Sequence, residues 1–198
     1  MSFPNLATGR LTLQQLTKQD AKALFEIFSD QAVVKFYDIE AFDSELQAVK
    51  LIEFFNTRFD EKAGIRWGIR LQETDELIGT CGFNSWNQKM KNAGIGYELS
   101  SHHWGMGYAT EALHKIIQSA FSNHLPLGEV YRIQGDTMIG NHASESVLIK
   151  LGFVDEGVRR ASGYWKNAFH DLKCFGLLKP DFNLPAVTSK SKCDGHVV

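Results

Sequence analysis

Apolar and polar positions alternate from Arg10 to Leu16, with Leu11 and Leu13 set against Thr12 and Gln14, and this period of two predicts a first strand. The period then changes. Ala21, Leu24, Phe25 and Phe28 recur at helical spacing behind a Thr17–Asp20 pair of the kind that opens a helix. A second helix is expected after Asp43–Ser44, with Leu46, Val49, Ile52 and Phe55 as its stripe. Alternation returns at Ile65, Trp67, Ile69 and Leu71. The polar turn from Glu73 to Glu76 leads into Leu77 to Phe83, so the two segments should form a hairpin. Ala93, Ile95, Tyr97 and Leu99 alternate again, and Ala109, Ala112, Leu113, Ile116, Ile117 and Ala120 form a helical stripe. Val130 to Met138 reads as strand. Asn141 is placed to cap a helix carrying Val147, Leu148 and Leu151, and Gly152 to end it. Two strands are expected last, about Phe153 to Arg160 and His170 to Leu178.

The order β-α-α-β-β-β-α-β-α-β-β predicts an α/β fold, a mixed α+β-type sheet flanked by about four helices, in a single domain over residues 1–180. Past Pro180 the chain turns polar, and residues 184–198 are expected to form a disordered tail. The 198 residues suffice for one real core, and 43% hydrophobic with 22% charged residues is a globular mix. A formal net charge of −2 argues against a dedicated nucleic-acid module. Cys81, Cys174 and Cys193 are far apart and form no CxxC pair, which disfavours a disulfide scaffold or a zinc site and points to a reducing cytoplasm. Cys81 and Cys174 lie in apolar runs and read as buried small hydrophobes. No basic stretch leads into an apolar run at the N-terminus, and no apolar run nears the ~20 residues that span a bilayer.

The informative stretch runs from Ile95 to Ala112: a strand enters a turn bearing Gly105 and Gly107, and the turn opens a helix. A helix N-terminus presents unpaired N–H groups and partial positive charge, and glycines let the backbone approach a ligand. Together they make a diphosphate cradle. Two glycines alone serve equally well as a plain tight turn. A dinucleotide fingerprint needs a third glycine where Thr110 stands, and a P-loop needs a Gly-Lys-Ser/Thr that is absent.

Trp104-Gly105-Met106-Gly107-Tyr108-Ala109-Thr110-Glu111-Ala112 resembles the acyl-CoA loop of the GNAT N-acetyltransferase superfamily, usually Gln/Arg-x-x-Gly-x-Gly/Ala. His102 holds the first position and departs from that pattern. A second block agrees: Asn141-His142-Ala143-Ser144, then Val147-Leu148 and Lys150-Leu151-Gly152-Phe153, is similar to the family's Asn-x-x-Ser…Leu-x-Lys-Leu-Gly-Phe segment. His170-Asp171 resembles the pair that often opens the last strand in the RimJ/RimL branch, which acetylates N-terminal amines of ribosomal proteins. The resemblance covers roughly Leu6 to Pro180.

The resemblance implies acetyl transfer from acetyl-CoA to an amine by direct attack through a tetrahedral intermediate, with no metal. The acceptor implied by the branch is a protein N-terminal amine, such as that of a ribosomal protein; a small amine (polyamine, amino acid or antibiotic) is the alternative within the same chemistry. It implies cofactor contacts from Leu99, His102, Trp104, Gly105, Met106, Gly107, Tyr108, Ala109, Thr110 and Asn141. Many relatives dimerise, so a homodimer stays open. Glu98 interrupts an apolar strand and is the candidate base, or else faces solvent or pairs with an arginine. Ser144 matches the serine favoured in that branch as donor to the leaving sulfur, or else bonds only the backbone. Leu148 stands where many relatives carry a tyrosine acid. Asn141 either bonds the pantetheine or caps its helix, or does both. His102 and His103 flank the cofactor or else supply a base, and His170 with Asp171 is a strand-opening structural pair or else a proton relay. The acidic run from Phe36 to Glu45 has no place assigned by sequence. A non-catalytic CoA-sensing domain and a nucleotide-binding protein are the readings from other classes.

Overall fold

The computed structural model describes residues 2–126 and 128–182. Eight strands, β1 (Leu6–Ala7), β2 (Leu11–Gln15), β3 (Ile65–Leu71), β4 (Leu77–Asn87), β5 (Asn92–Leu99), β6 (Arg132–Met138), β7 (Val154–Trp165) and β8 (Ala168–Leu178), form one sheet in the order β1-β2-β3-β4-β5-β6-β8-β7. The helices are α1 (Ala21–Ser29), α2 (Gln31–Val34), α3 (Glu45–Asp60), α4 (Tyr108–Phe121) and α5 (His142–Lys150). This is the mixed α/β architecture that the alternating periods predict, with two short additions, β1 and α2. Two and four residues carry too little periodicity to be seen in sequence.

All neighbouring strands pair antiparallel except β5 and β6. The β3–β4 hairpin sets Trp67 opposite Cys81. Because side chains alternate across a sheet, each strand serves two cores. Leu13, Trp67, Ile69 and Ile95 pack with Ile116 and Ile117 of α4 and Leu148 of α5. Leu16 and Leu77 pack with Leu24 and Phe28 of α1 and Ala48 and Ile52 of α3.

The α1 segment follows a 3₁₀ turn opened by the Thr17–Asp20 capping box, and α3 opens on a second box from Ser44 and Gln47. The expected stripe of α3 is rotated. Ala48, Ile52 and Phe59 are buried, Val49 and Phe55 half-buried, and Leu46 is 59% exposed. The helix meets α1 and β3 together, so small Ala48 takes the close approach and Leu46, in the first turn, lies off the contact.

Lys166 and Asn167 both have positive φ and close the β7–β8 hairpin, which runs longer than its pattern predicts. Lys166 Nζ donates to Val34 O at 2.8 Å, tying the hairpin tip to the end of α2. Cys81 is fully buried. Cys174 is only half-buried and receives Arg159 Nε at 3.0 Å, because β8 has an open face there, so it is not the buried hydrophobe expected. Cys193 and the expected tail over 184–198 lie outside the described residues. No helix among the described residues is long and apolar enough to cross a membrane.

Candidate active site

Strands β5 and β6 pair only through Asn92, Ala93 and Gly94, opposite Arg132, Ile133 and Gln134. Beyond Gly94 they part. A bulge in β4 lies at the same level, where the register shifts between Phe83 and Ser85 opposite Ile95 and Gly94. Ser100 N donates to Ile78 O at 2.8 Å. Antiparallel alternation then sends the N–H groups of Glu98 and Gly96 toward β4, and those of Tyr97 and Leu99 toward the gap. The gap is thus an inner strand edge, shaped to receive an extended chain as a further strand.

The gap leads to the loop before α4. Ser101–His103 form a 3₁₀ turn, and Trp104 Nε1 returns to Leu99 O at 2.9 Å. Gly105 and Gly107 have φ of 76° and 81°, where an L side chain is strained, and no atom stands within 4 Å of the Cβ position at Gly105. Gly107 caps α4, so the N–H groups of Tyr108, Ala109 and Thr110 have no acceptor within the helix. These donors and the helix dipole suit a diphosphate. Trp104 and Met106 are each about half exposed beside them, at 49% and 51%.

Arg10 braces this loop from β2's side. Its Nη1 donates to Met106 O at 3.0 Å, its guanidinium lies 4.5 Å over the Tyr108 ring, and its Nε donates to Glu111 Oε2 at 2.7 Å. The Thr8 hydroxyl donates to Glu111 Oε1 at 2.6 Å. Partial burial alone raises the Glu111 pKa; the Thr8 and Arg10 donors outweigh it and hold it below its ordinary value. A shallow depression of about 670 Å³ follows the outer face of α4 past Thr110, His114 and Lys115.

Asn141 caps α5, its Oδ1 accepting from Ser144 N at 3.3 Å. Tyr97 reaches across from β5: its hydroxyl lies 2.7 Å from Ser144 Oγ and donates to Ser144 O at 3.1 Å. Burial pushes the Tyr97 phenol up to about 12 against the opposing effect of Ser144, so it stays protonated at neutral pH.

Glu98 points to the opposite face of the sheet and is buried. It accepts from Arg66 of β3, from the Thr80 hydroxyl of β4, and from the Tyr37 hydroxyl at 2.6 Å. Of its alternative partners, an arginine is the one it holds in this arrangement. Arg66 also donates to Tyr37 at 3.1 Å and to Asn84 Oδ1 at 2.8 Å. Burial, with the Glu98 charge beside it, raises the Tyr37 pKa. Gly96 is needed for this packing, since a Cβ there would stand 2.9 Å from Arg66 Nη1. Tyr37, Arg66 and Asn84 front a cavity of about 420 Å³ beneath α3.

His102 is exposed and His103 half-buried beside the loop, with His103 Nε2 3.9 Å from Glu76. His170 stacks on Trp165 at 4.4 Å, and Asp171 Oδ1 accepts from Ala161 N at 2.7 Å, so both are occupied within the β7–β8 hairpin. No group of three or more His, Cys, Asp or Glu is placed to hold a metal ion among the described residues. Sequence reasoning missed Arg10, Tyr37, Arg66, Thr80 and the contact of the Tyr97 side chain with Ser144. The one available signal was Arg66, which interrupts an apolar strand just as Glu98 does.

Residues 10–154 match the family model described as an acetyltransferase (GNAT) domain. The chain is 42% identical over 178 residues to the uncharacterized N-acetyltransferase YoaA of Bacillus subtilis (strain 168), covering 90% of this chain and 98% of that protein. It is 31% identical over 104 residues to a ribosomal-protein-serine acetyltransferase of Escherichia coli (strain K12), covering 52% of this chain and 56% of that protein. Its fold matches that of the microcin C7 self-immunity acetyltransferase MccE, solved with acetyl-CoA and AMP, with a TM-score of 0.78 at 21% identity over 86% of this chain and 93% of that one.

Proposed function

We propose, from the premise that this chain belongs to the GNAT acetyltransferase family and is an acetyl-transferring enzyme, that it acetylates a primary amine, with a protein N-terminal α-amine as the acceptor. The observation that carries this reading is the continuous path from the inner strand edge at Tyr97 and Leu99 to the glycine cradle at Gly105–Thr110. When bound there, acetyl-CoA supplies a thioester carbonyl open to attack by an amine. The N–H groups from Gly105 to Thr110 hold the diphosphate, with the Trp104, Met106 and Tyr108 side chains beside it and His102 at its entrance. The Leu99 backbone and Asn141 flank the pantetheine.

The Tyr97 or Leu99 N–H donates to the acyl oxygen, a contact typically worth about 3 kcal/mol in such sites. With the Tyr97 phenol donating to its oxygen, the Ser144 hydroxyl hydrogen-bonds the sulfur without losing its proton, so that CoA leaves as the thiolate as the C–S bond breaks and the C–N bond forms. The amine loses one proton. Tyr37 fronts the acceptor-side cavity and passes that proton to Glu98, to which its hydroxyl already donates. An N-terminal amine, with a reference pKa of ~8 against ~10.4 for lysine, needs less help to become neutral. The ribosomal-protein-serine acetyltransferase among the relatives supports that acceptor class.

The test is thiol release coupled to amine acetylation. Ser144→Ala should lower kcat by about 10²-fold with acetyl-CoA affinity unchanged. Wild-type turnover in that variant removes Ser144 from the chemistry, and absence of thiol release with every amine tried removes the transferase reading.

A further inference from the structure

We infer that the cavity beneath α3 selects the group that carries the amine, and that it takes a bulky apolar residue, aromatic for preference, while rejecting a second cation. This inference rests on the transferase reading above. The cavity abuts the reacting gap through one wall. Asn84 sits at the β4 bulge, packs over Gly96, and bonds Arg66; Gly96 lies just past the last β5–β6 pair at Gly94. An amine held in the cavity therefore has the parted strands as its neighbour.

The lining decides the class. About 420 Å³ is the size of a small-ligand pocket, and such pockets are mostly apolar with a few oriented polar groups. Phe28, Ile39, Leu51, Phe54, Phe55 and Phe83 supply the apolar wall. A polycationic acceptor would need carboxylates or free aromatic faces. Phe54 and Phe55 each already carry a guanidinium over one face, Arg58 at 5.5 Å and Arg66 at 5.2 Å, so a further cation there would meet a like charge across the ring. Arg58 spends its Nη2 on the Ala63 and Asn84 carbonyls and forms no ion pair among the described residues, so its charge faces the cavity uncompensated. Against this stands one exposed carboxylate, Asp38, at the rim. Glu40, Asp43 and Glu45, of the same acidic run, do not line it and are exposed. A second positive charge on the acceptor thus meets Arg58, whereas an aromatic or branched side chain meets matching surface.

The experiment compares phenylalaninamide, serinamide, lysinamide and spermidine as acceptors, each an amine of stated shape and charge, by kcat/KM. Direct binding of the same amines is measured by calorimetry without any CoA present. Phenylalaninamide should exceed serinamide and spermidine by at least about tenfold, as loss of a large apolar contact implies. Leu51→Trp fills the cavity and should remove that preference with acetyl-CoA affinity unchanged. Phe54→Ala, at a 53% exposed rim position where folding is not at stake, should weaken phenylalaninamide alone by several-fold. Preference for spermidine or serinamide, or an unchanged ranking in both variants, overturns the inference. Amine binding with this ranking, but without acetyl-CoA binding, would uphold the cavity and overturn the transferase reading instead.

Discussion

The two faces of the sheet build their halves of the proposed site in opposite ways. Toward α4 and α5 the anchoring groups are main-chain amides, fixed by two left-handed glycines, a helix start and a strand without its neighbour, with Ser144 and Tyr97 as the side chains beside them. Toward α1, α2 and α3 they are side chains from distant segments, Tyr37, Arg66, Thr80 and Glu98, locked by one another. Backbone donors serve any sequence that can adopt the turn, so the glycine cradle tolerates change in its side chains. The second half is weakened most when Arg66 or Glu98 is lost, because a buried charge is then left alone. On the proposed reading, the cofactor would use the first construction and the acceptor the second.

The sharpest way to break this contrast is Gly107→Trp. The position has φ of 81°, and a side chain there is strained and intrudes on the cradle. Acetyl-CoA affinity by calorimetry should fall by at least about 10²-fold, or roughly 2.7 kcal/mol. Unchanged affinity would mean the backbone is not the anchor. Next in expected weight for folding is Glu98→Gln. It leaves Arg66 buried opposite a neutral amide and should cost about 3–5 kcal/mol of stability in urea titration. The pair Arg66→Met with Glu98→Leu should recover most of that loss. A cost below ~1 kcal/mol for the single change would show that the acceptor face does not depend on its charges.

The effect that is smallest at neutral pH concerns Cys81, on β4 opposite Tyr97, in the sheet that divides the two halves. Burial pushes its thiol from 9.0 up to about 12, with Arg66 opposing. The folded state therefore keeps a proton that the unfolded chain releases above pH 9. The resulting stability is complete below pH 9 and declines as pH rises through 12, at up to about 1.4 kcal/mol per pH unit. Cys81→Ala should make the fall between pH 9 and 12 shallower by that slope in denaturant titrations. An identical slope would place the alkaline loss elsewhere, with Tyr97 as the next candidate.

The cradle was legible in sequence because each of its parts is local. Alternation ending at Leu99, glycines at 105 and 107, and a stripe starting at Ala109 describe a strand, a turn and a helix within 20 residues or so. Asn141 with Ser144 was legible for the same reason. The acceptor face was not. Tyr37 meets Glu98 across 61 residues of chain, and Arg66 meets it across 32. A hydrophobic pattern cannot register such pairs. Even within α3 the pattern gave a helix and missed its orientation, because Leu46 is more apolar than Ala48 but Ala48 fits where α1 approaches.

The parting of β5 and β6 also has a mechanical side. Strands β1 to β5 and β6 to β8 form two leaves, joined in the sheet by a seam of three residue pairs at Asn92–Gly94. Elsewhere the leaves are bridged by α4 and α5, and by the Lys166 tip reaching Val34. A chain that hydrogen-bonds along the Tyr97–Leu99 edge would act as a rivet between the leaves, so occupancy of the gap and rigidity of the whole sheet become one equilibrium.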